Sequence, residues 1–216
     1  MSGKGEQRRA QLLDTAEELL VTAGGTELSM RAVAAAAGVR LGHLQYYFPT
    51  HAALVAAVLE RVLSRSAERL APLLAPIGPA RGPAGARAGT AAGADRTAAT
   101  AAPAPDRAAE QLIRALLAEQ EDARLVRLFA ELWALAARDE AVAGSVRAFY
   151  ADYRAQVAAF LADRRPDLPE AVVQGRAQVF LMLVEGASLF RSGLAGVREP
   201  ATDEELLRTA RGLLAP

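Results

Sequence analysis

A short stretch near the start of the chain concentrates side chains that hydrogen-bond outward. Arg40, His43 and Gln45 stand close together and are followed by the phenols of Tyr46 and Tyr47. A guanidinium can bond guanine or a phosphate, a carboxamide can make two bonds to adenine N6 and N7, and an imidazole can bond a base edge or a phosphate. To enter a groove together they must project from one side of a short helix. A helix over about 40–47 provides that side, because Val39 and Leu44 are the apolar residues that anchor it. Arg40, Leu41, Gly42, His43, Gln45, Tyr46 and, in part, Tyr47 then remain free. Tyr47 reads equally well as a core residue, and Arg40 as a solvated arginine.

The flanking residues predict the elements that would hold this face. Ser29 is a good N-cap for a helix over 30–37, since its hydroxyl can accept one of the orphan N–H groups of the first turn. Ala34 and Ala37 are small enough for a close helix crossing. Gly38 accepts the left-handed turn between the two rods. The spacing therefore predicts a helix-turn-helix over 29–48, with Pro49 at its end. Thr50 caps a fourth helix carrying Leu54, Val55, Val58, Leu59, Val62 and Leu63, with Pro72 and Pro76 marking its far end. A first helix over 6–23 shows Leu12, Leu13, Ala16, Leu19 and Leu20 at helical spacing and stops at Gly24 and Gly25.

Residues 75–105 are built of Ala, Gly, Pro, Arg and Thr with a single large apolar residue, Ile77. Such a segment buries too little surface to offset its ordering entropy, so it is expected to be a mobile linker or inserted loop. Asp106 can cap a fifth helix carrying Ala109, Leu112, Ile113, Leu116 and Leu117, and helical periodicity continues over 122–137, 140–163 and 170–191. Thr202 and Glu205 have capping-box spacing for a last helix ending near Leu214. The expected organisation is a reader over 1–52, a connecting helix over 53–74, the low-complexity segment over 75–105 and a second helical domain over 106–216. The helix over 170–191 is apolar nearly all round, which predicts one face against its own domain and another against a partner.

A second group could line a ligand pocket among the later helices: Phe129, Trp133, Phe149, Tyr150, Tyr153, Met182 and Glu185. Aromatics at helical spacing are also ordinary core, and that alternative stays open. Glu185 is the most informative of the set, since a carboxylate within an apolar helix needs a partner. A cationic ligand, Arg176, Arg191 or water at a dimer seam would each satisfy it.

Composition narrows the function classes. The 216 residues include no cysteine, which excludes thiolate chemistry and cysteine-bound metals, and the two histidines, His43 and His51, have no carboxylate at useful spacing. No glycine-rich phosphate loop and no credible triad accompany them, so neither enzymatic activity, a metal nor a cofactor is expected. No run is long and apolar enough for a membrane span, and no signal peptide is evident, so a cytoplasmic protein is expected. Net charge is zero, and residues 1–70 hold 8 basic against 7 acidic side chains. Any case for DNA therefore rests on local pattern rather than bulk charge. The fold class expected is all-α.

The run AAGVRLGHLQYYFPTHAALV resembles the DNA-binding domain of the TetR family of bacterial regulators. The resemblance covers about residues 8–63 and extends, less specifically, over 106–214. It implies that Gln45, where many members carry Tyr, reads bases, and that His43 occupies a place where Thr or Ser is common. It also implies that Tyr46 and Tyr47 pin the sugar–phosphate backbone. Ser29 belongs to the same interface, and Thr50 and His51 would set the first turn of the fourth helix against a phosphate. The family usually has Lys at position 51, so His51 is a departure. The resemblance further implies a homodimer formed through the eighth and last helices, a near-palindromic double-stranded operator and a small-molecule effector that releases a repressor from it. Two alternatives remain: an activator or ligand-independent regulator of the same kind, and a helical adaptor that binds protein.

Overall fold

A computed structural model describes residues 3–74, 107–119 and 121–214, and these form nine α-helices and no strand. The N-terminal part comprises α1 (Gly3–Ala23), α2 (Met30–Ala36), α3 (Leu41–Tyr47) and α4 (His51–Leu74). The remainder comprises α5 (Arg107–Glu119), α6 (Ala123–Ala136), α7 (Glu140–Arg164), α8 (Glu170–Arg191) and α9 (Pro200–Leu214). The all-α expectation holds. The segment over 75–105 and the capping role of Asp106 lie outside the described residues.

Two apolar cores organise the chain. The first joins Leu12, Leu13, Ala16 and Leu20 of α1 to Val33, Leu44 and Phe48, and to α4 from Leu54 through Leu63. Leu128 and Leu132 of α6 and Val142 of α7 close it from the other side. The second core joins Leu70 and Leu74 of α4 to α5, α7, α8 and α9. One helix, α4, therefore starts in the first core and ends in the second. Pro72 lies inside its last turn, where its missing N–H forgoes the bond to the Glu68 carbonyl.

Caps set several boundaries. Asp122 accepts from the N–H groups of Arg124 and Leu125, and Asp139 from those of Ala141 and Val142. The start of α9 departs from the capping-box expectation. The helix begins at Pro200, whose ring presets the first-turn φ, and Asp203 N–H already bonds the Glu199 carbonyl. Thr202 is thus inside the helix rather than its cap. An ion-pair cluster ties the end of α8 to α9: Asp203 receives both Arg191 and Arg198.

Candidate functional site

The reading helix is fixed by a few local contacts. The Ser29 hydroxyl accepts from Ala32 N–H at 3.2 Å, which starts α2. Gly38 adopts φ +64°, and Val39 N–H bonds the Ala34 carbonyl at 2.9 Å, closing the turn. A Cβ at position 38 would meet no neighbour, so the demand for glycine there is conformational rather than steric. Leu44 and Phe48 are fully buried and hold α3 against α1 and α4.

That anchoring leaves one edge of α3 in solvent. Arg40, Gly42, His43 and Gln45 are exposed, Leu41 is half-buried, and Tyr46 is 78% accessible. Gly42, Gln45 and Tyr46 fall at i, i+3 and i+4, one helix face. Tyr47 is partly buried and packs on the first core. Its ring meets Tyr46 edge-on at 5.1 Å and His43 at 5.6 Å, so the three rings form one cluster. The Arg9 guanidinium lies 5.2 Å above the Phe48 ring, bringing a cation of α1 to the end of the same helix.

The start of α4 is built differently from a bare helix terminus. The Thr50 hydroxyl accepts from Ala53 N–H at 3.1 Å. The His51 Nε2–H group donates to the Leu28 carbonyl at 2.5 Å, so this imidazole braces the loop before α2. One ring nitrogen is thereby committed within the protein, a role that a lysine at the position would not fill in the same way. No local sequence pattern marks this contact, which joins residues 23 apart.

A second site lies in the other half. A cavity of about 70 Å³, partly open to solvent, lies among α4 through α8. Phe129, Trp133, Phe149 and Tyr153 form its aromatic wall, and Glu185, Ser66 and Ser188 are its polar lining. Five of the seven residues expected at a pocket meet at this cavity. Tyr150 stands behind the wall: its hydroxyl accepts from Trp133 Nε1–H at 3.1 Å and is bonded to Glu185. Met182 departs from expectation. It is 64% accessible on the outer side of α8, away from the cavity, because a helix apolar all round gives no sequence signal for its inward face. Burial pushes the Glu185 carboxyl up to about 7, against a smaller downward pull from the Tyr150 hydroxyl. The same burial, and the nearby carboxylate, raise the Tyr150 phenol. Among the described residues no arginine reaches Glu185: Arg191 is held by Asp203 and Glu121, while Arg176 acts on Asp167.

One helix touches both sites. The side of α6 carrying Phe129 and Trp133 faces the cavity. From another side Glu131 Oε2 accepts Gly25 N–H at 2.8 Å, and Arg124 pairs with Glu18 of α1. Leu135 packs so closely on Gly25 that an added Cβ would lie 3.0 Å from its Cδ2 atom. A further charge cluster braces α1 to α4, where the buried Glu17 receives Arg61 Nε and an Arg65 guanidinium nitrogen, each at 2.5 Å.

Comparison with known proteins bears on the N-terminal half first. Residues 12–58 match the model of the bacterial regulatory proteins of the tetR family. An uncharacterised HTH-type transcriptional regulator in the dhlA 5′ region of Xanthobacter autotrophicus is 31% identical over 158 residues, covering 69% of this chain. The chain belongs to the TetR family. It spans 63% of the length of that curated relative. TetR-like architecture extends over nearly the whole chain. A transcriptional regulator from Rhodococcus sp. Rha1 superposes with TM-score 0.68 at 22% identity, over 95% of each chain. A TetR transcription regulator from Haloarcula marismortui gives TM-score 0.69 at 18% identity, over 97% of each. The multidrug binding protein EbrR, solved with imidazole, gives 0.60 at 22% identity, over 97% of this chain and 96% of that one. At these identities the structural likeness speaks for the fold, and the family assignment rests on the sequence matches.

Proposed function

We propose that this TetR-family protein is a dimeric DNA-binding transcriptional regulator whose hold on its operator is relaxed by a small molecule, acting most simply as a repressor. The observation that carries the reading is the split character of α3. Leu44 and Phe48 are buried, while Arg40, His43, Gln45 and Tyr46 stand free along one edge. Gln45 is assigned to a base edge, Arg40 and His43 to a base or phosphate, and Tyr46 and Tyr47 to the backbone. Ser29, Leu41, Gly42 and Thr50 complete the surface a duplex would meet. His51 contributes the brace to Leu28 and, through the first turn of α4, N–H groups facing a phosphate.

Pairing of two copies is supported by the outer face of α8. Val172, Val179, Met182, Leu189 and Phe190 are between 36% and 64% accessible, an apolar stripe that water would disfavour. Seating that stripe on its own two-fold copy, with α9 alongside, gives each dimer two reading helices. For successive major grooves these need to be about 34 Å apart. The cavity in each protomer is assigned to the effector. Because α6 lines the cavity and also holds α1, a ligand that displaces Phe129 or Trp133 shifts the reader. It does so only to the extent that it binds one arrangement better than the other.

The test is footprinting on the DNA upstream of the protein's own reading frame. Two protected half-sites one helical turn apart are expected, with binding that outlasts competitor DNA. Uniform, sequence-independent association, or none at low ionic strength, overturns the proposal. An adaptor that binds protein would give the second result.

A further inference from the structure

We infer that the cavity between α4 and α8 takes a hydrophobic organic cation, with its charged head at Glu185 and its apolar part against Phe129, Trp133, Phe149 and Tyr153. The inference rests on the effector-binding reading above and specifies the ligand's chemical class.

Three observations carry it. First, among the described residues the cavity wall holds a carboxylate and no compensating cation. The groups facing Glu185 from α7 are the Tyr150 and Tyr153 phenols, and α6 brings Trp133. From α4 comes Ser66, whose hydroxyl accepts from Arg69 at 2.8 Å. The cavity-lining residues of α5 and α6 include no ionisable side chain. A largely desolvated carboxylate without a counter-charge is costly even when partly buried, so a site of this kind gains most from a ligand that supplies the charge. Second, four aromatic rings share the cavity with that carboxylate. Their faces carry negative quadrupole potential, and that attracts a desolvated ammonium far better than an anion. Third, the remaining polar groups of the lining are the Tyr153, Ser66 and Ser188 hydroxyls. Ser188 Oγ is already directed to the Glu185 carbonyl at 2.6 Å. A neutral polar ligand would therefore find few groups to satisfy it, and an anion would meet Glu185.

Size constrains the mode of entry. A volume of about 70 Å³ has room for only a few waters. A cation larger than that must part the rings, and Phe129 and Trp133 ride on the helix that holds Gly25 through Glu131. Charge recognition and displacement of α6 thus belong to one event.

A matched pair of probes separates charge from shape: trimethylphenylammonium, permanently charged, and its carbon isostere tert-butylbenzene. Titration calorimetry on the full-length protein reads each at pH 6 and pH 8. Because Glu185 titrates at about 7, its ionised fraction rises about tenfold across this interval, and the cation is expected to bind about tenfold more tightly at pH 8. Glu185→Gln is expected to erase that pH dependence and weaken the cation at least tenfold at pH 8, with little change for the neutral isostere. Three results overturn the inference: a neutral probe that binds as well as the cation at pH 8, a cation affinity indifferent to Glu185→Gln, or no cation binding at either pH. The same preparation is assayed for DNA binding without added compound. Operator binding without cation binding sinks this inference alone, and cation binding without operator binding sinks the regulator reading alone.

Discussion

Glu185→Gln should make the ligand-free protein more stable above neutral pH, and the size of the gain can be worked out. Burial raises the carboxyl from an ordinary value of 4.5 to about 7. The folded chain then binds more protons than the unfolded chain between those values, so stability falls as pH rises through this window. Below 4.5 both states are protonated and no penalty exists. Above 7 the full penalty applies, about 3 kcal/mol at 1.36 kcal/mol per pKa unit. Glutamine keeps the shape and can still meet the Tyr150 hydroxyl, but never ionises. Urea unfolding followed by helical circular dichroism, at one protomer concentration and at pH 5 and 8, supplies the comparison. The difference between variant and wild type should open from about 0.8 kcal/mol at pH 5 to about 3 kcal/mol at pH 8, where the melting-temperature gain is about 6–12 °C for a chain of this size. Taking the difference cancels His43, His51 and every other group common to both proteins. Parallel curves for the two proteins between pH 5 and 8 would refute the claim that this carboxylate is desolvated without a counter-ion.

Four further outcomes are expected. Gln45→Ala should lose about 1–3 kcal/mol of operator discrimination while binding to random DNA persists, as read by competition gel shift. Met182→Glu should leave a folded chain that sediments as a monomer, since the change falls on the outer face of α8 and removes nothing from either core. Glu131→Ala should destabilise by about 1–3 kcal/mol, because it leaves the Gly25 N–H without its charged acceptor, and should weaken coupling between cavity and operator. Tyr150→Phe should move the pH dependence of cation binding to higher pH, since the hydroxyl that favours the ionised Glu185 is gone.

The helix-turn-helix could be read from sequence because its determinants are local. A cap at Ser29, a left-handed glycine at 38 and an apolar anchor at Leu44 each act within a few residues. The bounds of α8 were equally legible, set by Pro169 before it and Gly193 after it. The contacts that join the two halves were not. Gly25 and Glu131 are 106 positions apart, as are Glu18 and Arg124, and no periodicity links residues at that distance. Glu17 is an intermediate case. It stands at i+4 from Leu13 and i−3 from Leu20, so the helical period itself puts this carboxylate in the apolar stripe. That position called for basic partners, which α4 supplies as Arg61 and Arg65. The orientation of α8 was illegible for the opposite reason: with apolar residues all round, Met182 and Phe180 carry the same signal, yet one is 64% accessible and the other fully buried.

The shared ownership of α4 bears on any attempt to graft this reader onto a different sensor. A fragment ending at residue 52 would forfeit Leu54, Val55, Val58, Leu59 and Val62, and with them half the wall against which Leu44 and Phe48 rest. A fragment carried on to residue 74 would keep those but strand Leu70 and Leu74 in water. The workable seam for a chimera lies inside the helix, between Leu63 and Leu70. Even there the recipient must furnish equivalents of Leu128 and Leu132, or the transplanted reader will be short of its roof.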